Sequence, residues 1–228
     1  MGADRQAVRE RFASRLSLPL IAAPMLRVSG TALVAACCAS GVIGAFPTSN
    51  CRTVEELDRW LSELSDALTS KDAPVCPNLI MRSARLAEDL DCVIRHGVEL
   101  VITSVGSPHP VIAPLHEAGC LVFADVASVR HARKAAADGA DGLILLTAGA
   151  GGQTGWANGF AFARAVRGFF DGPIVMAGGV CDGASLLAAR RWGAISPTWA
   201  RASSRPARAW RRTNTRRCWS RPSWTTFS

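Results

Sequence analysis

Leu143 to Gly155 reads LILLTAGAGGQTG, an apolar run that breaks into four glycines within seven residues: Gly149, Gly151, Gly152 and Gly155. The run is short, wholly apolar and has no helical cap, so it reads as a buried strand. Glycines clustered at the carboxyl end of a strand let the backbone approach a ligand closely or take positive φ. In α/β proteins that end of the strand is where sites are built. A plain strand-to-helix turn would need only one such glycine.

Working outward, the same grammar repeats. Strands are expected at 18–25 (LPLIAAPM), 42–46, 75–81, 100–106 and 120–126, then at the opening run, then at 173–179 (PIVMAGG). Helices are expected between them. Ser29 is placed to cap a helix over 30–40, and TVEE from Thr53 makes a capping box with Glu56. Helices near 83–96, 110–118, 128–137, 159–169 and 183–192 follow, most of them ending at a glycine (Gly97, Gly119, Gly139, Gly193). Seven strand-helix units in succession predict α/β architecture and favour a TIM-type (β/α)8 barrel, with a doubly wound sheet as the alternative.

Composition narrows the class. The chain has 228 residues, 49% of them hydrophobic, enough for a substantial core. Its apolar runs fall far short of the roughly 18 residues that span a bilayer. The start, MGADRQAVRERF, is charged rather than apolar. A cytoplasmic protein with no membrane partner is therefore expected. The eight cysteines form no CxxC pair, so neither a zinc site nor a disulfide framework is expected, and most sit in apolar surroundings.

The net charge of +8 would point to nucleic acid if it were spread over the fold. Instead, eight of the 26 basic residues and none of the 18 acidic ones fall in 195–228, so the rest of the chain is neutral. No nucleic-acid partner is expected. Residues 195–228 also lack Val, Leu and Gly and hold four of the seven tryptophans. Such a segment does not read as a strand and helix, so the domain expectation is an incomplete barrel over 1–194 and a non-native-looking, disordered basic tail over 195–228. Back-translated with GC-rich codons and given one extra base at its start, the tail reads approximately DLAYMGTRFIAT. That is a strand ending in Gly-Thr, with acid-containing helical sequence beyond it. The expectation is a frameshift after Ala194, real or a sequencing artefact; the alternative is a natural, disordered Arg-rich tail.

The motifs LIAAPM (20–25), ASGVIGAF (39–46), PNLIM (77–81), TAGAGGQTG (147–155) and GPIVMAGGV (172–180), in this order, resemble the nitronate monooxygenase (2-nitropropane dioxygenase) family. Members are FMN-dependent TIM barrels; related flavin barrels of the enoyl-reductase and inosine monophosphate dehydrogenase types share the later Gly-Gly. The resemblance covers residues 18–194. It implies FMN as cofactor, with Ala23, Pro24 and Met25 lining the isoalloxazine ring and Asn78 hydrogen-bonding the flavin. It also implies that Gly155 borders the site and that Gly178 and Gly179 give backbone N–H groups to the phosphate. Such N–H-rich turns stabilise a phosphate dianion.

Two departures stand out. Family members that oxidise nitronates typically carry histidine after the AGG, where this chain has Gln153. Glutamine orients a substrate but accepts no proton near neutral pH. The family's second phosphate segment, Gly-Thr after strand eight, is also missing from the sequence as written. Asp125, at the end of strand five, is a candidate catalytic group because barrel active sites lie there. His109 in GSPHP is a candidate base, and Thr103, Ser104 and Trp156 are candidate pocket-lining groups. The expected activity is FMN-dependent oxidation of alkyl nitronates by O2, without a metal. The alternatives are an NAD(P)H-dependent quinone or enoyl reductase, and an inactive remnant. Oligomeric state is left open.

Overall fold

A computed structural model describes residues 10–191 and the backbone of 196–199. Its elements alternate strictly: β1 (Ile21–Ala22), α1 (Thr31–Ala39), β2 (Ile43–Pro47), α2 (Val54–Ala67), β3 (Val75–Ile80), α3 (Leu86–Arg95), β4 (Leu100–Ser104), α4 (His109–Glu117), β5 (Leu121–Val126), α5 (Val129–Asp138), β6 (Gly142–Leu146), α6 (Gly159–Arg167), β7 (Ile174–Ala177), α7 (Gly183–Arg191) and β8 (Ser196–Trp199). All pairings are parallel, in sequence order, and the sheet closes as a barrel. The TIM-barrel expectation is borne out.

The missing eighth strand is a correction. Ser196 pairs with Val175 on one side, and Thr198 and Trp199 pair with Ile21 and Ala22 on the other. Barrel closure requires an extended backbone with free N–H and C=O groups, and the unpaired edges of β1 and β7 demand one. Apolar composition was the wrong test for a four-residue strand. Beyond Trp199 the tail, with the expectation that it is disordered, lies outside the described residues.

Period-two alternation sorts the strand side chains. Phe123 faces the barrel interior with Ile21, Ala45, Cys76, Ile102, Ile144 and Val175, so the centre is a filled core. Val122, Ala124 and Val126 face the helices and join Leu57, Leu61, Leu64, Cys92 and Phe162. Phe12, ahead of the first strand, packs into the interior cluster. Beside it Arg15 holds Glu99 at 2.7 Å and the carbonyl of Asp72 at 2.7 Å. The cysteines at 38, 51, 76, 92 and 120 are buried free thiols, as their apolar settings implied.

Local signals fare unevenly. Thr53 Oγ1 accepts from the Glu56 N–H, and Ser128 Oγ accepts from that of His131, as expected. Ser29 does not cap α1; Gly30 takes the cap position without a side-chain bond. The Ser29 hydroxyl turns back to donate to Ala23 O and accept from Met25 N. Strand one shrinks from the expected 18–25 to two residues, because Pro19 and Pro24 withhold N–H groups from any ladder. Among the described residues no helix is long and apolar enough to cross a membrane.

Candidate active site at the carboxyl ends of the strands

Three polar side chains interrupt the apolar interior at the mouth of the barrel. Asn78 follows Cys76 by two residues on β3, Ser104 follows Ile102 on β4, and Asp125 follows Phe123 on β5; each therefore shares the inward face of its strand. Ser104 Oγ donates to Asn78 Oδ1 at 2.9 Å, and both residues are buried. That bond occupies the amide oxygen and leaves the Asn78 amide nitrogen available as a donor. Asp125 is partly reached by solvent through the mouth, yet the wall around it strips hydration and pushes its carboxyl up to about 7. Thr103 takes the opposite face of β4, buried against the helical layer with its Oγ1 unpaired, so it leaves the list of pocket groups.

The β1 loop borders the mouth. Ala23 is buried, whereas Pro24 and Met25 are partly exposed. This loop is pinned by a residue the sequence reading passed over. Asn50 Nδ2 donates to Met25 O at 3.1 Å and to Ser29 O at 3.0 Å, while its Oδ1 accepts from Arg27 N at 2.8 Å. Arg85 secures the same turn from below by donating to Thr48 O and Cys51 O while pairing with the buried Asp89 at 3.0 Å. The available clue was a lone asparagine just past strand two, in the position that faces the strand-one loop.

The glycine turns after β6 and β7 close on one another. Gly178 has φ +117°, and a Cβ there would collide with Ala150 N and the Thr147 hydroxyl; Thr147 Oγ1 itself donates to Ala177 O at 2.8 Å. At Gly155 a Cβ would strike Leu146 O and stand 2.9 Å from Ala127 O, so this glycine lets the loop fold back over the ends of β5 and β6. Among the described residues, no atom lies within 4 Å of where a Cβ on Gly179, at φ +73°, would be. The start of α7 is capped by Asp182, whose Oδ1 accepts from Ser185 N at 2.8 Å. Asp182 thus occupies the N-terminus of this helix.

Two other expected catalytic groups lie at the surface. Gln153 lies exposed on the glycine loop. His109 opens α4 with its imidazole largely in solvent, and its Nδ1 stands 3.9 Å from Asp138 of α5. Trp156 follows the loop, is 85% exposed, and lines an open cleft with Ser128, Arg130, His131 and Gly155. His116 is exposed, with its Nε2 bonded to the buried Asp141 at 2.8 Å.

A closed (β/α)8 barrel with a polar patch inside its mouth and paired glycine turns after β6 and β7 is the architecture of a barrel enzyme. The sequence profile of the nitronate monooxygenase family matches residues 80–200, and the chain belongs to that family of flavin-dependent oxidoreductases. It is 31% identical over 179 residues to a (3aS,4S,5R,7aS)-5-hydroxy-7a-methyl-1-oxo-octahydro-1H-indene-4-carboxyl-CoA dehydrogenase of Mycobacterium tuberculosis, covering 77% of this chain and 49% of that one. To the nitronate monooxygenase of Neurospora crassa it is 38% identical over 98 residues, 39% of this chain and 26% of that one. Among solved structures, FabK from Thermotoga maritima superimposes with a TM-score of 0.76 at 27% identity, over 87% of this chain and 61% of that one. The nitroalkane oxidase of Streptomyces ansochromogenes shares the fold, with a TM-score of 0.75 at 23% identity, over 85% and 66% of the two chains. The chain spans about half the length of the curated dehydrogenase it matches.

Proposed function

We propose that this chain is an FMN-dependent oxidoreductase that oxidises alkyl nitronates with O2. The observation that carries the reading is the inward trio Asn78, Ser104 and Asp125, set on three adjacent strands at the mouth of an otherwise apolar barrel. The residues fit the cofactor. Among the described residues, the cradle at Gly178 and Gly179 has open space beside Gly179, which suits a phosphate. Ala23, Pro24 and Met25 offer an apolar ledge, and Asn78 offers an amide donor already oriented by Ser104. When bound, FMN supplies the electron-acceptor chemistry and passes electrons on to O2.

The protein's own task is then to hold a small anion against that ring. Asp125, with its carboxyl near 7, is protonated in a large share of molecules at neutral pH. In that form it donates a hydrogen bond to a nitronate oxygen, where an ionised carboxylate would repel the anion. A nitronate is already deprotonated at carbon, so the absence of histidine at Gln153 costs such a substrate little. In its ionised form Asp125 is the group placed to take the α-proton of a neutral nitroalkane.

A second reading is an NAD(P)H-dependent reductase on the same barrel. Gln153 in the place of histidine favours it, as do the similarities to FabK and to a CoA-ester dehydrogenase. Anaerobic stopped-flow separates the two. Bleaching of the bound flavin by propyl nitronate supports the first reading; bleaching by NADH alone overturns it.

A further inference from the structure

Outside the mouth, helices α2 and α3 bring three metal-ligand side chains together. Cys92 and His96 are four residues apart, one turn of α3 and its cap, so they lie on one face. Asp58 faces them from α2. Its Oδ1 is 2.9 Å from His96 Nε2 and 3.9 Å from Cys92 Sγ, and the three ligand atoms all lie within 4.8 Å of one another. Ligand atoms around tetrahedral zinc stand about 3.3–3.6 Å apart, so small rotamer changes bring the set to bonding distance. Burial is graded to match: Cys92 is sealed in the core, His96 is partly covered and Asp58 reaches solvent.

We propose that Cys92, His96 and Asp58 bind a divalent cation of the zinc class, with water as the fourth ligand. A thiolate, an imidazole and a carboxylate select zinc or cobalt over magnesium or calcium, which take all-oxygen shells. On binding, the Cys92 S–H bond breaks, a sulfur–metal bond forms and that proton leaves to solvent; the imidazole gives up the Nε2–H that bonds Asp58 and takes a proton at Nδ1 from water instead, so that the Nε2 lone pair meets the ion, and no electrons are transferred. Thiolate and carboxylate together neutralise the dication. The competing group is Arg95, whose Nη1 donates to the same Asp58 oxygen at 3.0 Å. Its side chain is 62% exposed, so it is free to swing into water. Bound metal ties α2 to α3 on the outside of the barrel; the site shares no residue with the mouth and stands independently of the flavin reading.

The test is a titration of the full-length chain with Co2+, followed by absorption. The expected result is an intense near-ultraviolet thiolate-to-cobalt band that saturates at one equivalent, with visible bands of a tetrahedral ion. Cys92→Ser abolishes the near-ultraviolet band. His96→Gln, a partly exposed change that leaves the core intact, weakens binding by about tenfold or more. Arg95→Gln tightens it by removing the competing cation. Absence of a charge-transfer band in the wild type, or an unchanged band in Cys92→Ser, overturns the proposal. So does an affinity that responds to neither His96→Gln nor Arg95→Gln.

Discussion

Ser104 aims Asn78: its hydroxyl donates to Asn78 Oδ1 at 2.9 Å inside the barrel mouth, which fixes the amide so that its nitrogen is the end left for a ligand. Ser104→Ala removes that donor and leaves a buried acceptor unpaired. Unfolding stability should fall by about 1–3 kcal/mol. FMN affinity should fall by roughly tenfold, because the amide is free to turn its oxygen toward the ring; a tenfold loss is about 1.4 kcal/mol. A thermal melt and a fluorescence titration with FMN measure the two effects. An unchanged affinity in Ser104→Ala would mean that Asn78 does not touch the flavin.

Asp125 makes stability and activity depend on pH in a defined direction. Its folded carboxyl is raised to about 7, so folding favours the protonated form. The stability linked to this group is complete below the ordinary carboxylate range of about 4 and is lost as pH rises through about 7. Asp125→Asn, which stays neutral, should therefore gain on the wild type in denaturation midpoint between those limits, and the gap should level off above them. Turnover of nitronate by the wild type should decline above the same pH, and Asp125→Asn should flatten that decline. A pH profile identical in the two proteins would remove Asp125 from the site.

The two glycines of the β7 turn should separate folding from binding. Gly178→Ala meets Ala150 N and the Thr147 hydroxyl at a φ of +117°, so a loss of about 2–4 kcal/mol is expected. Gly179→Ala meets nothing and bears only the strain of φ +73°, about 1 kcal/mol. Its methyl would nevertheless occupy the space assigned to the phosphate. Loss of FMN binding with a nearly unchanged melt is the expected result for Gly179→Ala. Retention of FMN in that variant would move the phosphate elsewhere.

The seven strand-helix units were legible because each apolar run is bounded by a cap or a glycine. Thr53, Ser128 and Gly139 act locally, through bonds to their own helix ends. What was illegible is non-local. Ser29 has the chemistry of a cap, yet its hydroxyl is drawn to Ala23 O and Met25 N by the folded-back β1 loop. Asn50 acts on residues more than 20 positions away. The polar trio needed only strand phase: once Phe123 is placed inside, Asp125 follows, and the same count puts Ser104 inside and Thr103 outside. Gln153 and His109 were chosen by residue type and chain position, and neither reports which way a loop carries its side chain.

Asn50 gives a test of the β1 loop independent of the cofactor. Asn50→Ala removes two donors and one acceptor that hold Met25, Ser29 and Arg27. Amide exchange at Arg27, whose N–H bonds Asn50 Oδ1, should accelerate by about tenfold or more, and the fold as a whole should lose about 1–2 kcal/mol. Unchanged exchange there would mean that the loop is held by Ser29 alone.

The last prediction concerns the reading frame. Strand β8 closes the barrel with the sequence Ser-Pro-Thr-Trp, in which Pro197 offers the ladder no N–H. One base restored at the start of the tail gives Leu-Ala-Tyr-Met over the same four positions, followed at once by Gly-Thr. That reading supplies every ladder N–H, a continuous apolar run suited to a buried parallel strand, and a glycine directly after the strand. Chance rarely converts an acid-free, Arg- and Trp-rich segment into the strand its neighbours require. A DNA read across codons 185–205 of the source should show the additional base. The chain expressed in the restored frame should bind FMN at least tenfold tighter than the chain described above, since it completes the phosphate corner. A read without the base, together with stoichiometric yellow flavin on the present chain, would establish Ser196–Trp199 as the native eighth strand and the Gly178–Gly179 turn as sufficient for the phosphate.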